Sequence, residues 1–162
     1  MIQKMKKRDR QDPWARLEHA LVKRCVERSC TLHIRPGEAR ILKCDLLNNP
    51  VGFNRNMPMS DFLVFSRSRS SFMGPVEIKS GKFRVDKVRS QLENGAKHAL
   101  YLSKGLPGFR SSHLLLVLVA SRFGNELDQI RLRDPVQING ARYTIRPLRC
   151  GSKLADIVKR TQ

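Results

Sequence analysis

The feature that most constrains the fold is a run of seven consecutive apolar residues, LLLVLVA, at positions 114–120. A run of this kind is typical of a central strand that is covered on both faces of a sheet. Apolar residues recur at helical spacing in residues 85–102, and this segment follows a β-prone run at residues 74–79. The three segments together predict a βαβ unit, so the two strands should be parallel.

A second strand is expected to pair with the first of these. Residues 61–66 (DFLVFS) are also β-prone, and only seven residues, RSRSSFM, separate them from residues 74–79. A connection of this length is short enough for a β-hairpin. The two runs are therefore predicted to be antiparallel neighbours.

The elements on either side are less strongly patterned. Residues 40–46 alternate between apolar and polar positions, as a half-buried strand does. Apolar residues at helical spacing predict a first helix over residues 13–29, with Asp12 as its cap and Pro13 in its first turn. Toward the carboxyl end, residues 129–133 and 142–146 are candidate edge strands, and residues 154–159 are a candidate last helix.

Length and charge set the domain organisation and the partner. The chain has 162 residues, of which 40% are hydrophobic, so we expect one domain over residues 12–162 after a basic arm over residues 1–11. Lys and Arg number 32 against 14 Asp and Glu, a net charge of +18. Such an excess is the electrostatic signature of a polyanion binder, and nucleic acid is the expected partner. No basic amphipathic helix with a large apolar face is evident, so a membrane partner is not expected.

The four cysteines, Cys25, Cys30, Cys44 and Cys150, form no CxxC pair and are interpreted as reduced thiols. A zinc site made of the first three and His33 is an alternative, although these spacings match no common zinc motif. Because the amino terminus lacks the apolar core of a signal peptide, and no apolar run approaches the roughly 20 residues of a membrane span, the expected location is cytoplasmic.

The predicted hairpin brings three chemically significant side chains together. If the two strands pair about a centre near residue 70, Asp61 faces Lys79 and Glu77 becomes its diagonal neighbour. Side chains alternate along a strand, so Glu77 and Lys79 share one face while Val76 and Ile78 enter the core. Two carboxylates can hold Mg²⁺, for which Mn²⁺ can substitute, and a nearby amine can orient an attacking water during phosphodiester hydrolysis.

These residues and their order resemble the PD-(D/E)xK nuclease superfamily, which includes restriction endonucleases and archaeal-type Holliday junction resolvases. The resemblance covers roughly residues 13–120 and implies an α/β fold with a restriction endonuclease-like core. That core has the order helix, three strands, helix, strand, with a mixed sheet flanked by helices. The resemblance also implies that Asp61 and Glu77 bind Mg²⁺, that the carbonyl of Ile78 is a further ligand, and that Lys79 serves catalysis.

Two additional catalytic positions are implied by the same resemblance. Some members of the superfamily carry a Gln on the helix after the motif, which corresponds to Gln91, and others a Glu on the first helix, which corresponds to Glu18. The chain departs from the pattern in two places, because Ser60 stands before Asp61 where the motif has Pro, and Gly95 stands where a QxxxY variant has Tyr.

The resulting expectation is an Mg²⁺-dependent endonuclease that acts on DNA. A homodimer, in which two sites cut two strands, is an assembly that the resemblance suggests. Cationic residues near the motif in sequence are expected to bind phosphates. They are Arg67, Arg69, Lys82, Arg84, Lys87 and Arg89. Three alternatives stay open: a non-catalytic nucleic-acid-binding module or accessory subunit with a nuclease-like fold, an unrelated RNA-binding protein, and a hairpin whose Glu–Lys pair is only a surface salt bridge.

Overall fold

A computed structural model describes residues 12–47, 57–67 and 71–159 of the chain. The predicted basic arm, most of the connection over residues 48–60, and Arg69 lie outside these ranges. Within them there are ten strands and three α-helices, together with 3-10 helices at Ala15–Ala20, Cys44–Leu46 and Ser111–His113.

The strands are β1 (Leu21–Val22), β2 (Cys25–Glu27), β3 (Cys30–Leu32), β4 (Ala39–Lys43), β5 (Phe62–Ser66), β6 (Phe72–Lys79), β7 (Leu116–Ala120), β8 (Val136–Ile138), β9 (Ala141–Tyr143) and β10 (Ile145–Arg149). The α-helices are α1 (Val85–Ser103), α2 (Glu126–Arg133) and α3 (Leu154–Lys159).

A mixed sheet of six strands forms the centre of the structure, in the order β1-β4-β5-β6-β7-β10. Within this sheet, neighbouring strands are antiparallel from β1 through β4 and β5 to β6, whereas β6, β7 and β10 are parallel. The fold is therefore α/β with a mixed sheet flanked by helices, and the predicted β6–α1–β7 unit is confirmed. The predicted hairpin is confirmed as β5 and β6.

Both faces of the sheet are covered, which explains the uninterrupted apolar sequence of β7. On one face, α1 packs Val88, Leu92 and Ala96 against side chains of β5 and β6. On the other face, the β2–β3 hairpin and α3 contribute to a second buried cluster that includes Val76 and Ile78. A polar side chain of a central strand is consequently removed from solvent on either face.

The first helix predicted over residues 13–29 is wrong. The Asp12 side chain accepts a hydrogen bond from the backbone N–H of Trp14 at 3.0 Å, but the helix that follows is a short 3-10 helix, Ala15–Ala20. Leu21 and Val22 pair with β4, whereas Cys25 begins a hairpin with β3 and packs in the cluster on the opposite face from Leu21. The helical spacing of these apolar residues thus reflects two separate packing sites, and pairing at the sheet edge overrides the weak local pattern.

The candidate strand at residues 129–133 is also wrong, because it belongs to α2. Asn125 caps this helix: its side chain accepts a hydrogen bond from the N–H of Asp128 at 2.9 Å, and the Asp128 carboxylate accepts one from the N–H of Asn125 at 3.3 Å. This reciprocal cap starts a helix that the alternating apolar residues did not indicate. The second candidate edge strand overlaps β9 and β10, and the last helix is confirmed as α3.

The interpretation of all four cysteines as thiols is wrong for two of them. Cys30 in β3 and Cys150 after β10 form a disulfide, with their Cα atoms 5.0 Å apart. The two residues are 120 positions apart in the chain and meet because Gly151 donates a backbone hydrogen bond to the Thr31 carbonyl at 2.8 Å. Only the tertiary fold brings them within disulfide distance.

The contact between β6 and β7 contains a Gly-Pro pair that interrupts the parallel ladder. Successive backbone N–H groups of a strand point to opposite neighbours, and the N–H of Ile78 points toward β5. A residue at position 75 would therefore donate toward β7, but Pro75 has no N–H. The carbonyl of Leu115 approaches here so closely that a Cβ atom on Gly74 would overlap it. Residue 74 must therefore lack a side chain for β7 to lie against β6.

We expect Gly74→Ala to lower the free energy of unfolding by about 2 kcal/mol or more, because backbone atoms of β7 must move to accept the methyl group. Urea denaturation of the two proteins measures the difference. Gly81→Ala is the matched control, since no atom lies within 4 Å of a Cβ at that position. Equal stability of the two variants would contradict the proposed contact.

Candidate functional site

The residues predicted to carry chemistry meet where β5 begins and β6 ends. Asp61 immediately precedes β5, while Glu77 and Lys79 are among the last three residues of β6. Phe62 pairs with Val76 and Leu63 with Pro75, so the same register sets Asp61 opposite Glu77. The predicted register is wrong by two residues, because Phe72 and Met73 belong to the strand and shorten the turn. A shift of two keeps every side chain on its predicted face.

Two hydrogen bonds cross between the strands at this point. The backbone N–H of Asp61 donates to Oε2 of Glu77 at 3.0 Å, and the backbone N–H of Ile78 donates to Oδ2 of Asp61 at 2.9 Å. Each acidic side chain is thus held by the backbone of the strand that carries the other. These two bonds hold the carboxylates at opposite positions of the two strands.

Lys79 completes the group on the same face of β6. Its Nζ atom lies 2.6 Å from Oε1 of Glu77, which confirms that the two side chains share a face. The Lys79 side chain is 23% exposed, whereas Glu77 is fully buried. The ammonium group therefore stands between a buried carboxylate and solvent, where an incoming anionic substrate would meet it.

Burial makes this arrangement electrostatically costly. Removal of Glu77 from water, and next the neighbouring Asp61 charge, raise the pKa of Glu77 to about 7, although Lys79 opposes the shift. Burial likewise raises the pKa of Asp61 above its ordinary value, against the hydrogen bond from Ile78. Two adjacent acidic groups whose pKa values are raised, mainly by burial, are typical of a functional site.

Ile78 is positioned to contribute its carbonyl oxygen, as the sequence resemblance implies. The N–H and C=O of one residue in a strand point to the same side, and the Ile78 N–H is bonded to Asp61. Its carbonyl therefore points to the side of β6 on which Asp61 lies. The donor set that the structure places together consists of two carboxylates and this carbonyl, all of which are hard oxygen ligands.

Gln91 does not reach the carboxylates through any hydrogen bond, but it holds the segment that leads to Asp61. Its Nε2 atom donates to the carbonyl of Met59 at 3.2 Å, and Nδ2 of Asn94 donates to the carbonyl of Pro58 at 2.8 Å. Gln91 is buried, and its own Oε1 has no hydrogen-bond partner among the described residues. The structure therefore gives Gln91 a positioning role.

Gly95 explains why the tyrosine of the QxxxY variant is absent. A Cβ atom at this position would lie 2.3 Å from Oγ of Ser60 and 2.7 Å from Cβ of Pro75. Helix α1 approaches the start of β5 too closely for any side chain. The departure from the family pattern at residue 95 thus has a local packing cause.

Glu18 lies apart from this group. It is exposed in the 3-10 helix Ala15–Ala20, and its side chain forms no hydrogen bond or ion pair within the described ranges. The acidic residues whose charges raise the pKa of Asp61 are instead Glu27 at the end of β2 and Asp45 in the 3-10 helix after β4. Sequence reasoning missed both residues; for Asp45, its place at the end of the strand next to β5 was an available signal.

Five of the six cations predicted to bind phosphates lie in the described ranges, and they fall into different places. Arg67 follows β5, at the opposite end of the hairpin and roughly 20 Å along the strand from Asp61, because a hairpin directs its turn away from its open end. Arg89 donates to the carbonyl groups of Arg131, Asp134 and Pro135, where it binds the carboxyl end of α2. Neither residue lies where the prediction put it.

Lys82, Arg84 and Lys87 lie beside the site. They line a hollow of about 360 Å³ together with Lys79 and Phe83, at the carboxyl end of β6 and the start of α1. The side chains of these three residues form no hydrogen bond or ion pair with another described residue. Their charges are available to an external anion.

The zinc alternative has no support in the described ranges. Cys30 is in a disulfide, and Cys25 and Cys44 are buried thiols in different apolar clusters. Burial raises the pKa of Cys44 to about 12. No group of three or more His, Cys, Asp or Glu residues is arranged as a metal site among the described residues, so any cation at Asp61 and Glu77 must complete its shell with the backbone, substrate or water.

Comparison with known proteins yields no relative: no family model, no curated protein and no solved structure matches the chain. The interpretation of the site therefore rests on its own geometry. Across the ranges that the structure covers, none of the helices combines the length and apolarity needed to cross a membrane.

The raised pKa of Glu77 predicts a pH-dependent effect of Glu77→Gln in the presence of a chelator. The folded protein binds the Glu77 proton more tightly than the unfolded chain, so this residue's contribution to stability is highest below about pH 4.5 and is lost as the pH rises through about 7. Gln cannot ionise. We expect the variant to be more stable than the natural protein by about 1–3 kcal/mol at pH 8, with the difference shrinking toward pH 5.

Chemical denaturation at several pH values measures this difference. Glu93→Gln is the matched control, because Glu93 is a partly exposed residue of α1 that pairs with Lys97 at 3.1 Å. We expect its effect to stay within about 0.5 kcal/mol over the same pH range. A Glu77→Gln protein that is less stable than the natural one at pH 8 would contradict the assigned cost of burying this carboxylate.

Proposed function

We propose that the protein is a metal-dependent endonuclease that hydrolyses phosphodiester bonds in DNA, with Asp61, Glu77 and Lys79 as its catalytic group. The observation that carries this proposal is the meeting of a buried carboxylate (Glu77), a partly buried one (Asp61) and one lysine at adjacent strand ends. They lie beside a hollow lined by cations, in a chain of net charge +18.

The residues fit a hard divalent cation such as Mg²⁺ or Mn²⁺. Asp61 and Glu77 would hold it, with the Ile78 carbonyl as a third oxygen donor. Burial and the neighbouring Asp61 charge, which raise the pKa of Glu77, disfavour its ionised form, and a bound cation would offset this cost. When bound, the cation supplies Lewis-acid chemistry at the phosphodiester and lowers the pKa of a water molecule.

Lys79 contributes a positive charge and hydrogen-bond donors, which the ionised carboxylates lack. Its ammonium group is anchored by Glu77 and partly exposed, so it can donate a hydrogen bond to a phosphate oxygen or to the attacking water. Charge that develops on the phosphoryl oxygens is offset by this group because it lies at the rim of a largely buried site. Gln91 and Asn94 hold residues 58 and 59, and thereby keep Asp61 in register with β6.

The arrangement of strands supports a restriction endonuclease-like core. Three antiparallel strands, β4, β5 and β6, are followed by α1 and the parallel strand β7, which is the order that the resemblance implies from its first strand onward. The helix expected before these strands is replaced by a 3-10 helix. The assignment to the PD-(D/E)xK superfamily is therefore proposed on the site and the central strands.

One observation favours the non-catalytic alternative. The Lys79 ammonium group already neutralises Glu77 at 2.6 Å, so the pair can serve as a permanent internal salt bridge in a module that only binds nucleic acid. The two functions differ in one measurable respect, because only the nuclease needs a divalent cation to alter DNA.

The test is incubation with supercoiled, linear, branched and single-stranded DNA in Mg²⁺ or Mn²⁺, compared with a chelator. We expect cation-dependent cleavage that falls at least about 100-fold in Asp61→Asn, Glu77→Gln and Lys79→Met, because each removes a group that acts on the reacting phosphate. DNA binding, measured separately in chelator, should change only a few-fold and should weaken steeply with salt.

Glu93→Gln and Lys97→Met are matched controls that neutralise an exposed ion pair on α1. They should cleave like the natural protein. Retained cleavage in Glu77→Gln would reject the proposed site, and the absence of cleavage from every substrate, with salt-sensitive binding intact, would favour the binding module.

A further inference from the structure

We propose that the loops after β6 and β7 form a groove that binds a single-stranded segment of nucleic acid, with Phe83 as a base-stacking platform and Arg122 as a phosphate contact. This groove adjoins the catalytic group, and the proposal rests on the proposed function. The nucleic-acid strand bound in the groove would be the one that passes Glu77 and Lys79.

The groove consists of two adjacent hollows. The first, of about 360 Å³, is the one that Lys79, Arg84 and Lys87 line. The second, of about 370 Å³, is lined by Arg122, Gly124, Asn125 and Asp128. Lys82 and Phe83 line both, so they stand at the junction between them. Lys79 connects the first hollow directly to Glu77.

The two loops are held together by β6 and β7. The N–H of Ser121 donates to the carbonyl of Lys79 at 3.2 Å, and its hydroxyl donates to the carbonyl of Ser80 at 3.0 Å. These bonds place the groove at the carboxyl ends of two parallel strands, which is the usual location of ligand sites in α/β sheets. The groove is therefore formed before any ligand arrives.

The charges of the groove favour a polyanion. The side chains of four cations, Lys82, Arg84, Lys87 and Arg122, have no hydrogen bond or ion pair to another described residue. The carboxylate that lines the second hollow, Asp128, accepts a hydrogen bond from the N–H of Asn125 and serves the cap of α2. Four cations without internal partners against this single capped carboxylate leave a strongly positive surface.

Phe83 favours a single strand over a duplex. Its ring packs against the core that α1 covers, yet it is only partly buried and lines both hollows. A partly exposed aromatic ring between cationic hollows can stack on the face of a base, and this face is accessible only in an unpaired nucleotide. Each hollow has the size of a small-ligand site rather than the width of a double helix.

The experiment measures binding of a fluorescein-labelled thymidine 12-mer and of an abasic strand of equal length, by anisotropy in chelator so that no cleavage occurs. We expect Phe83→Leu to weaken binding of the thymidine strand about five- to tenfold and binding of the abasic strand less than twofold, because the latter has no base to stack. Phe83→Tyr, which keeps the ring, should bind like the natural protein.

Arg122→Ala should weaken binding of both labelled strands about equally. It should also reduce the slope of log affinity against log salt concentration by about the amount expected for one phosphate contact. Arg142→Ala and Tyr101→Leu are matched controls, because Arg142 is exposed in β9 and Tyr101 lies about 20 Å from the groove along α1. An Arg122→Ala protein indistinguishable from Arg142→Ala, or equal losses for both strands in Phe83→Leu, would overturn the proposal.

The two proposals fail in different ways. If the chain is only a binding module, the base-dependent effect of Phe83→Leu persists in chelator although no cleavage is found in Mg²⁺. If the groove is wrong, cation-dependent cleavage persists and depends on Glu77, while Phe83→Leu and Arg122→Ala bind single strands like their controls.

Discussion

The candidate site depends on one exchange of hydrogen bonds between the start of β5 and the end of β6. The N–H of Asp61 holds the Glu77 carboxylate, and the N–H of Ile78 holds the Asp61 carboxylate. Backbone pairing normally satisfies these groups with carbonyl oxygens. Here two acidic side chains take that place, so the register of the hairpin and the position of the carboxylates are determined together. A change in one would displace the other.

The rest of the fold raises the free-energy cost of ionising these carboxylates and also holds them in position. Both faces of the sheet are covered, so a carboxylate in β6 cannot reach bulk water, and the pKa of Glu77 rises to about 7. Helix α1 holds the chain before Asp61 through Gln91 and Asn94, and Gly95 lets the helix approach closely. Proteins accept local instability of this kind chiefly at functional sites. Strand β6 ends at the cationic groove, so the proposed phosphate contacts lie next to the proposed catalytic group.

Sequence reasoning succeeded where a segment has only one way to bury its apolar side chains. The run of apolar residues in β7 and the amphipathic pattern of α1 are long and strongly periodic, and the β6–α1–β7 unit follows from them. It failed in residues 13–29, where a few apolar side chains at helical spacing pack on two different faces of the sheet. It failed again at residues 129–133, where the cap formed by Asn125 and Asp128 outweighs a short alternating pattern. The Cys30–Cys150 disulfide could not be predicted from spacing, because its partners are far apart in the chain.

For the candidate site, the sequence by itself indicated Asp61, Glu77 and Lys79, and it determined that Glu77 and Lys79 share one face, because side chains alternate along β6 whatever the register. It also determined that the surface is strongly basic. Only the tertiary structure decided the register of the hairpin, the burial of Glu77 and the role of Gln91. It also placed Arg67 at the far end of β5, bound Arg89 to α2, and brought Arg122 beside Phe83. These features depend on contacts between segments distant in the chain, and local pattern carries no information about which distant segments will meet.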